Sequence, residues 1–256
     1  MTQNIPQIII ESNIKQYIDE RKPYSRYTSY DYCYNYYQSF LNSDRIKDLA
    51  SEKNLKLSCL HLGFYLASWG MYRGSGWLLQ TSVKIFEPLI RNISNLEEQY
   101  WRIDVDSYSK GNNIQLMLDI SEIIKNSFQE IYPNYIASDT LITKIMTVLF
   151  GSVPAYDNYF NIGLFSKQSG AFTKDSLEFI LKFYQYYSKT IDSFEIHTLD
   201  YDTSKITENI YSKAKIIDMI CWIEGSNNVN EIKSKFGKKD QNITKKDIQN
   251  IKKYIE

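Results

Sequence analysis

Apolar residues recur at steps of three and four along most of the chain, the period of an α-helix with one buried face. In LKLSCLHLGFYLASW (55–69) they run almost all round, which predicts a central, buried helix. WLLQTSVKIFEPLIRNI (77–93) predicts a second helix, bent where Pro88 enters. IQLMLDISEIIKNSF (114–128) and LITKIMTVLF (141–150) are amphipathic, with Ser138 and Asp139 as candidate caps for the latter. Thr173 or Asp175 can open a helix through FILKFYQYY (179–187). ITENIYSKAKIIDMICWIEG (206–225) reads as one long helix stopped by Gly225. YWRIDVDSYS (100–109) fits a short strand or a loop. No segment alternates with period two for long enough to require a sheet. The pattern predicts an all-α fold, a compact multi-helix domain of about ten helices. Residues 1–225 form this domain, with room for two packed lobes and a cleft between them.

The segment 226–256 differs. Over 231–256 eight lysines stand against four acidic residues, in a chain that balances 30 basic against 30 acidic residues overall. A terminal Lys-rich helix is usually a solvated face; here Lys238, Lys239, Lys245 and Lys246 are also candidates for contacts with nucleic-acid phosphates. Overall neutrality excludes a uniformly basic nucleic-acid binder, so any such binding rests on a local patch. Hydrophobic residues at 43% suffice for a substantial core.

Cys33, Cys59 and Cys221 lie far apart, and only His61 and His197 join them, so no zinc-ligand spacing can be written. Buried thiols in a reducing compartment are expected. No secretory pattern opens the chain and no apolar run approaches the ~20 residues of a membrane span. The expectation is a cytoplasmic protein without metal or cofactor. No P-loop and no nucleophile motif are present. His61 sits in an apolar helix and reads as a core histidine. In YSRYTSYDYCYNYYQSF (24–40), Tyr30, Tyr34 and Tyr37 share one helical face, read as packing with the hydroxyls at its rim.

Two stretches carry candidate chemistry. In FGSVPAYDNYF (150–160) an apolar helix is broken by Gly151 and Pro154, and Asp157 appears where the chain turns helical again. A carboxylate at a helix N-terminus meets unpaired N–H groups and a partial positive charge, which hold it ionised and oriented. Capping is its ordinary role. In LASWGMYRGSGWLL (66–79), Gly70, Gly74 and Gly76 surround Trp69, Tyr72, Arg73 and Trp77. Planar rings and a fork-shaped cation on a glycine-rich connection suit the stacking of a base; a tight helix–helix turn would use the same residues for packing.

The order in 139–165, with Thr143-Lys144-Ile145, then Phe150-Gly151, then Val153-Pro154-Ala155-Tyr156-Asp157, then Asn161-Ile162-Gly163-Leu164, resembles the core of the helix-hairpin-helix DNA glycosylases. The resemblance covers about a tenth of the chain. It implies that Asp157 is the catalytic carboxylate, with Tyr156 and Tyr159 beside the sugar or base and Lys144 near the nucleic-acid backbone. The family's glycine-rich hairpin is replaced by Ile136-Ala137-Ser138-Asp139-Thr140, and Lys144 stands closer in sequence to the aspartate than the family's hairpin lysine does. This implies a monofunctional enzyme that leaves an abasic site. Such an enzyme would excise a modified or damaged base from DNA, with Trp69, Tyr72, Arg73 and Trp77 in its pocket. A bulky base of the kind found in phage DNA would imply a role in defence. Two alternatives stand beside this: a non-catalytic helical nucleic-acid-binding module, and a structural or partner-binding helical protein.

Overall fold

A computed structural model describes residues 5–250 apart from 75, 168, 169, 238–242, 245 and 249. The described chain is mostly helical: α1 (Gln7–Glu20), α2 (Thr28–Asn42), α3 (Leu55–Ser68), α4 (Glu87–Ser94), α5 (Glu98–Trp101), α6 (Asn113–Gln129), α7 (Asp139–Phe150), α8 (Asn158–Phe165), α9 (Lys174–Ile191) and α10 (Lys213–Phe236). One antiparallel pair, β1 (His197–Leu199) and β2 (Ile206–Ile210), completes it. A single large core runs from α1 to α10, and a smaller apolar cluster joins Ile162, Val229, Ile232, Ile243 and Ile248.

The caps before α7 and α9 and the burial of the cysteines are as expected. Ser138 caps α7 through its hydroxyl, which accepts from the Leu141 N–H, and Thr173 caps α9. Asp139 instead accepts from the Phe172 N–H, tying α7 to the chain that enters α9. The three cysteines are free and buried. Among the described residues no group of three or more His, Cys, Asp or Glu could hold a metal, and no helix is long and apolar enough to cross a membrane.

Others are corrected. The 77–93 helix is three pieces: 3-10 turns at Trp77–Gln80 and Val83–Phe86, then α4, with Pro88 in its first turn. There proline's fixed φ and missing donor cost nothing, so it starts a helix rather than bending one. Helix α3 is not wholly buried: Leu57, Leu60 and Phe64 are exposed on it. Segment 100–109 holds the end of α5 and a 3-10 turn. Residues 206–210 are strand β2, not the start of a helix; α10 begins after its cap Ser212 and runs through Gly225 to Phe236. Tyr30 and Tyr37 are fully buried rather than rimmed, and the Tyr37 hydroxyl donates to the Ser58 carbonyl. His61 is half-buried, stacked on Tyr36, and burial holds its imidazole below the ordinary value.

The passage of α10 through Gly225 explains itself at the crossing with α8. A Cβ at Gly225 would collide with the Tyr159 carbonyl, and one at Gly163 with the Cys221 carbonyl. The two glycines let the helices touch backbone to backbone, so Gly225 is needed mid-helix for close approach instead of termination.

Candidate functional site

The chain leaves α7 at Gly151, whose φ of 65° is the left-handed conformation glycine adopts freely at a helix end. Residues 153–156 then run back along α7. The Thr147 hydroxyl donates to the Val153 carbonyl, the Thr143 hydroxyl oxygen accepts from the Tyr156 N–H, and the Thr140 hydroxyl donates to the Tyr156 carbonyl. Threonines one turn apart thus stitch an extended strand of chain to the helix. The consequence is positional: Asp157 arrives beside Lys144.

Asp157 is the N-cap of α8, its Oδ1 accepting from the Phe160 N–H at 3.1 Å. Its Oδ2 accepts from the Trp222 indole N–H at 3.2 Å and lies 3.4 Å from Lys144 Nζ. Lys144 also donates to the Trp69 carbonyl at 2.8 Å. The Lys144 side chain is 5% exposed and that of Asp157 16%, so the aspartate side chain keeps some exposure while the amine is enclosed. Burial holds the Lys144 amine below the ordinary lysine value; Asp157 pulls it up, and the charge of Arg73 pushes it further down. The expected surface role of Lys144 toward a phosphate does not fit this enclosure: its amine is committed to Trp69 and Asp157.

A second ion pair backs the first. Lys215 Nζ donates to Asp218 Oδ2 at 2.7 Å, both side chains being buried, and Asp218 Oδ1 accepts from the Ala155 N–H. The carboxylate thereby anchors the segment that delivers Asp157 to α10. The Lys215 amine lies over the rings of Tyr30, Tyr17 and Trp69, and its own pKa is raised by Asp218 and Tyr17 against the effect of burial.

Above this lies an aromatic group. Trp69 and Trp222 meet edge to face with centroids 5.6 Å apart, and Tyr27 meets each of them the same way, at 5.7 and 6.0 Å. The guanidinium of Arg26 sits over all three rings, at 5.5 Å from Tyr27 and 5.2 Å from each tryptophan. Tyr159, half-buried, packs edge-on against Trp222.

The sequence-derived candidates divide accordingly. Asp157, Trp69, Tyr159 and Lys144 come together. Arg73 is exposed, its guanidinium folded over Gly70, close enough for its charge to be felt at Lys144. Tyr72 is half-buried; its hydroxyl has no partner among the described residues, and burial raises it to about 12. Tyr156 is core: its ring packs on Phe160, Phe165 and Phe172 and its hydroxyl reaches Ser176. Trp77 belongs to a different place, stacked on Tyr135 at 3.6 Å in an open groove of about 330 Å³ with Tyr132, Pro133 and Asn134. Lys246 is exposed, and Lys238, Lys239 and Lys245 lie outside the described residues. Sequence reasoning missed Arg26, Tyr27, Trp222, Lys215 and Asp218. The last three lie within α10, where i, i+3 and i+4 spacing from Asp218 was a usable signal for Lys215 and Trp222.

Comparison of this chain with protein-family models, with curated proteins and with solved structures finds no match.

Proposed function

We propose that this chain is a monofunctional DNA glycosylase-like enzyme that excises a modified or damaged base and leaves an abasic site. The observation that carries the reading is the carboxylate of Asp157: held as the cap of α8, bonded to Trp222, paired with an enclosed lysine, on a side chain that is still partly exposed. Cleavage of an N-glycosidic bond builds positive charge on the sugar, and a carboxylate fixed in a site of low polarity stabilises that charge without reorganising. The same carboxylate orients the attacking water and takes its proton. Lys144 and Trp222 hold Oδ2 in one orientation, which keeps the group aimed as the reaction proceeds. Trp69, Trp222 and Tyr159 supply ring surfaces for a base taken out of the stack. Arg73 and Lys246 are exposed cations available to the backbone phosphates.

The test is base excision. Wild type and Asp157→Asn are incubated with DNAs carrying different modified bases, including modified phage genomic DNA, and alkali converts abasic sites to breaks. Wild type should give breaks after alkali, and Asp157→Asn should be slower by roughly 10²–10³-fold, the loss typical of one fixed electrostatic group. Breaks without alkali, together with borohydride trapping of a protein–DNA adduct that Lys144→Met abolishes, would replace the monofunctional reading with a lyase. Binding to DNA with no excision on any substrate would leave a binding module.

A further inference from the structure

Helix α3 is apolar on two sides. Leu55, Cys59, Leu62 and Leu66 are buried in the core, while Leu57, Leu60 and Phe64 are 47%, 41% and 50% exposed, and Ala67 is exposed beyond them. A single exposed leucine is ordinary on a protein surface. These four follow one another at steps of three, four and three, the a and d positions of two heptads, so they form one stripe along the outer side of the helix. Such a stripe is the seam against which a second helix packs.

Charge decides which helix. Over 52–73 the chain carries Lys53, Lys56 and Arg73 against one acidic residue, Glu52. Lys53 and Lys56 are exposed, and neither is paired with a carboxylate among the described residues. They sit at the positive end of the α3 dipole, whose first turn holds no acidic residue. That end is also open. Asn54 stands at the cap position without capping, its amide donating to the Asp48 carbonyl instead, and the N–H groups of Lys56 and Leu57 have no acceptor among the described residues. A second copy of this chain does not fit: paired in parallel it sets lysines against lysines, and paired antiparallel it brings the exposed Arg73 toward Lys53.

We propose that the outer side of α3 is the docking surface for an amphipathic helix of a partner protein. That helix lies antiparallel to α3, with an apolar stripe on Leu57, Leu60, Phe64 and Ala67 and an acidic last turn against Lys53, Lys56 and the open N-terminus of α3. The antiparallel sense follows from the charges. It brings the negative end of the partner helix's dipole, together with its carboxylates, to the positive end of α3. Such docking needs neither DNA nor excision.

The test uses two synthetic helical peptides of about twenty residues, each with leucine at its a and d positions. They differ only in the last turns, where one carries glutamate and the other lysine. Titrated against the full chain and followed by fluorescence anisotropy, the glutamate peptide should bind with a Kd on the order of 10 μM. The lysine peptide should bind at least about ten-fold more weakly, and the difference should shrink at high salt. Phe64→Glu should remove binding yet melt at the wild-type temperature, because the ring is half exposed. Lys53→Glu combined with Lys56→Glu should reverse the preference between the two peptides. Binding of neither peptide, equal binding of both, or a preference that the double variant leaves unchanged would overturn the proposal. So would a dimer seen in sedimentation that Phe64→Glu dissociates, since the stripe would then belong to a second copy of this chain.

Discussion

At the scale of single residues, the molecule places carboxylates where burial and hydrogen bonding oppose each other. Asp104 is the clearest instance outside the candidate site: it accepts from the N–H groups of Val105, Lys213 and Ala214, and so closes the start of α10 from a distant part of the chain. Burial outweighs those three donors and raises its pKa from 3.8 to about 6. The folded chain then holds this proton more tightly than the unfolded chain does. The contribution of Asp104 to stability is therefore full below about pH 3.8 and is lost as pH rises through about 6. Melting temperatures measured from pH 4 to 7 should fall more steeply with pH for wild type than for Asp104→Asn; parallel curves would reject the assignment. Asp157 was legible in the sequence because a cap needs only its neighbours: a glycine, a proline and an apolar run define where the next helix begins. Arg26 was not, because the rings that receive it come from three separate places in the chain, and no local pattern announces such a meeting.

At the scale of elements, most helices were legible where one face is apolar, as for α6, and most clearly where a capping hydroxyl also stands before it, as for α7 and α9. The failures have two physical causes. β2 is exposed at Ile206 and Ile210, and its pairing partner β1 has only three residues, so neither shows a buried alternating face. The pair is held instead by α2, where Asp31 accepts from the Leu199 N–H and the Asn35 amide donates to the Leu199 carbonyl. Gly225 misled for the opposite reason: a glycine that permits close approach looks like a glycine that ends a helix. The crossing it permits sets the distance between Asp157 on α8 and Trp222 on α10. Gly225→Ala should cost at least about 1–3 kcal/mol, since its methyl meets a carbonyl on a neighbouring helix with little freedom to yield. Urea unfolding measures that loss. The same variant should also shift the Trp222 indole signal, because α8 carries the acceptor; an unchanged midpoint and signal would show that the crossing tolerates a side chain.

At the scale of the whole molecule, the Lys-rich end is less separate than its composition indicates. Helix α10 continues without a break past 225, and Ile243 and Ile248 are buried with Ile162, Val229 and Ile232. Charge on one side of this segment does not prevent apolar anchoring on the other. A chain ended after 237 should lose roughly 2–4 kcal/mol, the burial of two isoleucines and of the surface they cover, and melt several degrees lower. An unchanged melting curve would show the end to be an independent appendage. The Gly163–Gly225 contact has one more consequence, for how kin of this chain are recognised. A capping carboxylate is interchangeable with serine, threonine or asparagine wherever it only caps, so the Pro-Ala-Tyr-Asp stretch alone is a poor guide to ancestry. Two glycines sixty-two positions apart, each facing the other helix's backbone, admit no such exchange. Chains of shared descent should retain both, with tryptophan three residues before the second, even where the surrounding letters have drifted beyond recognition.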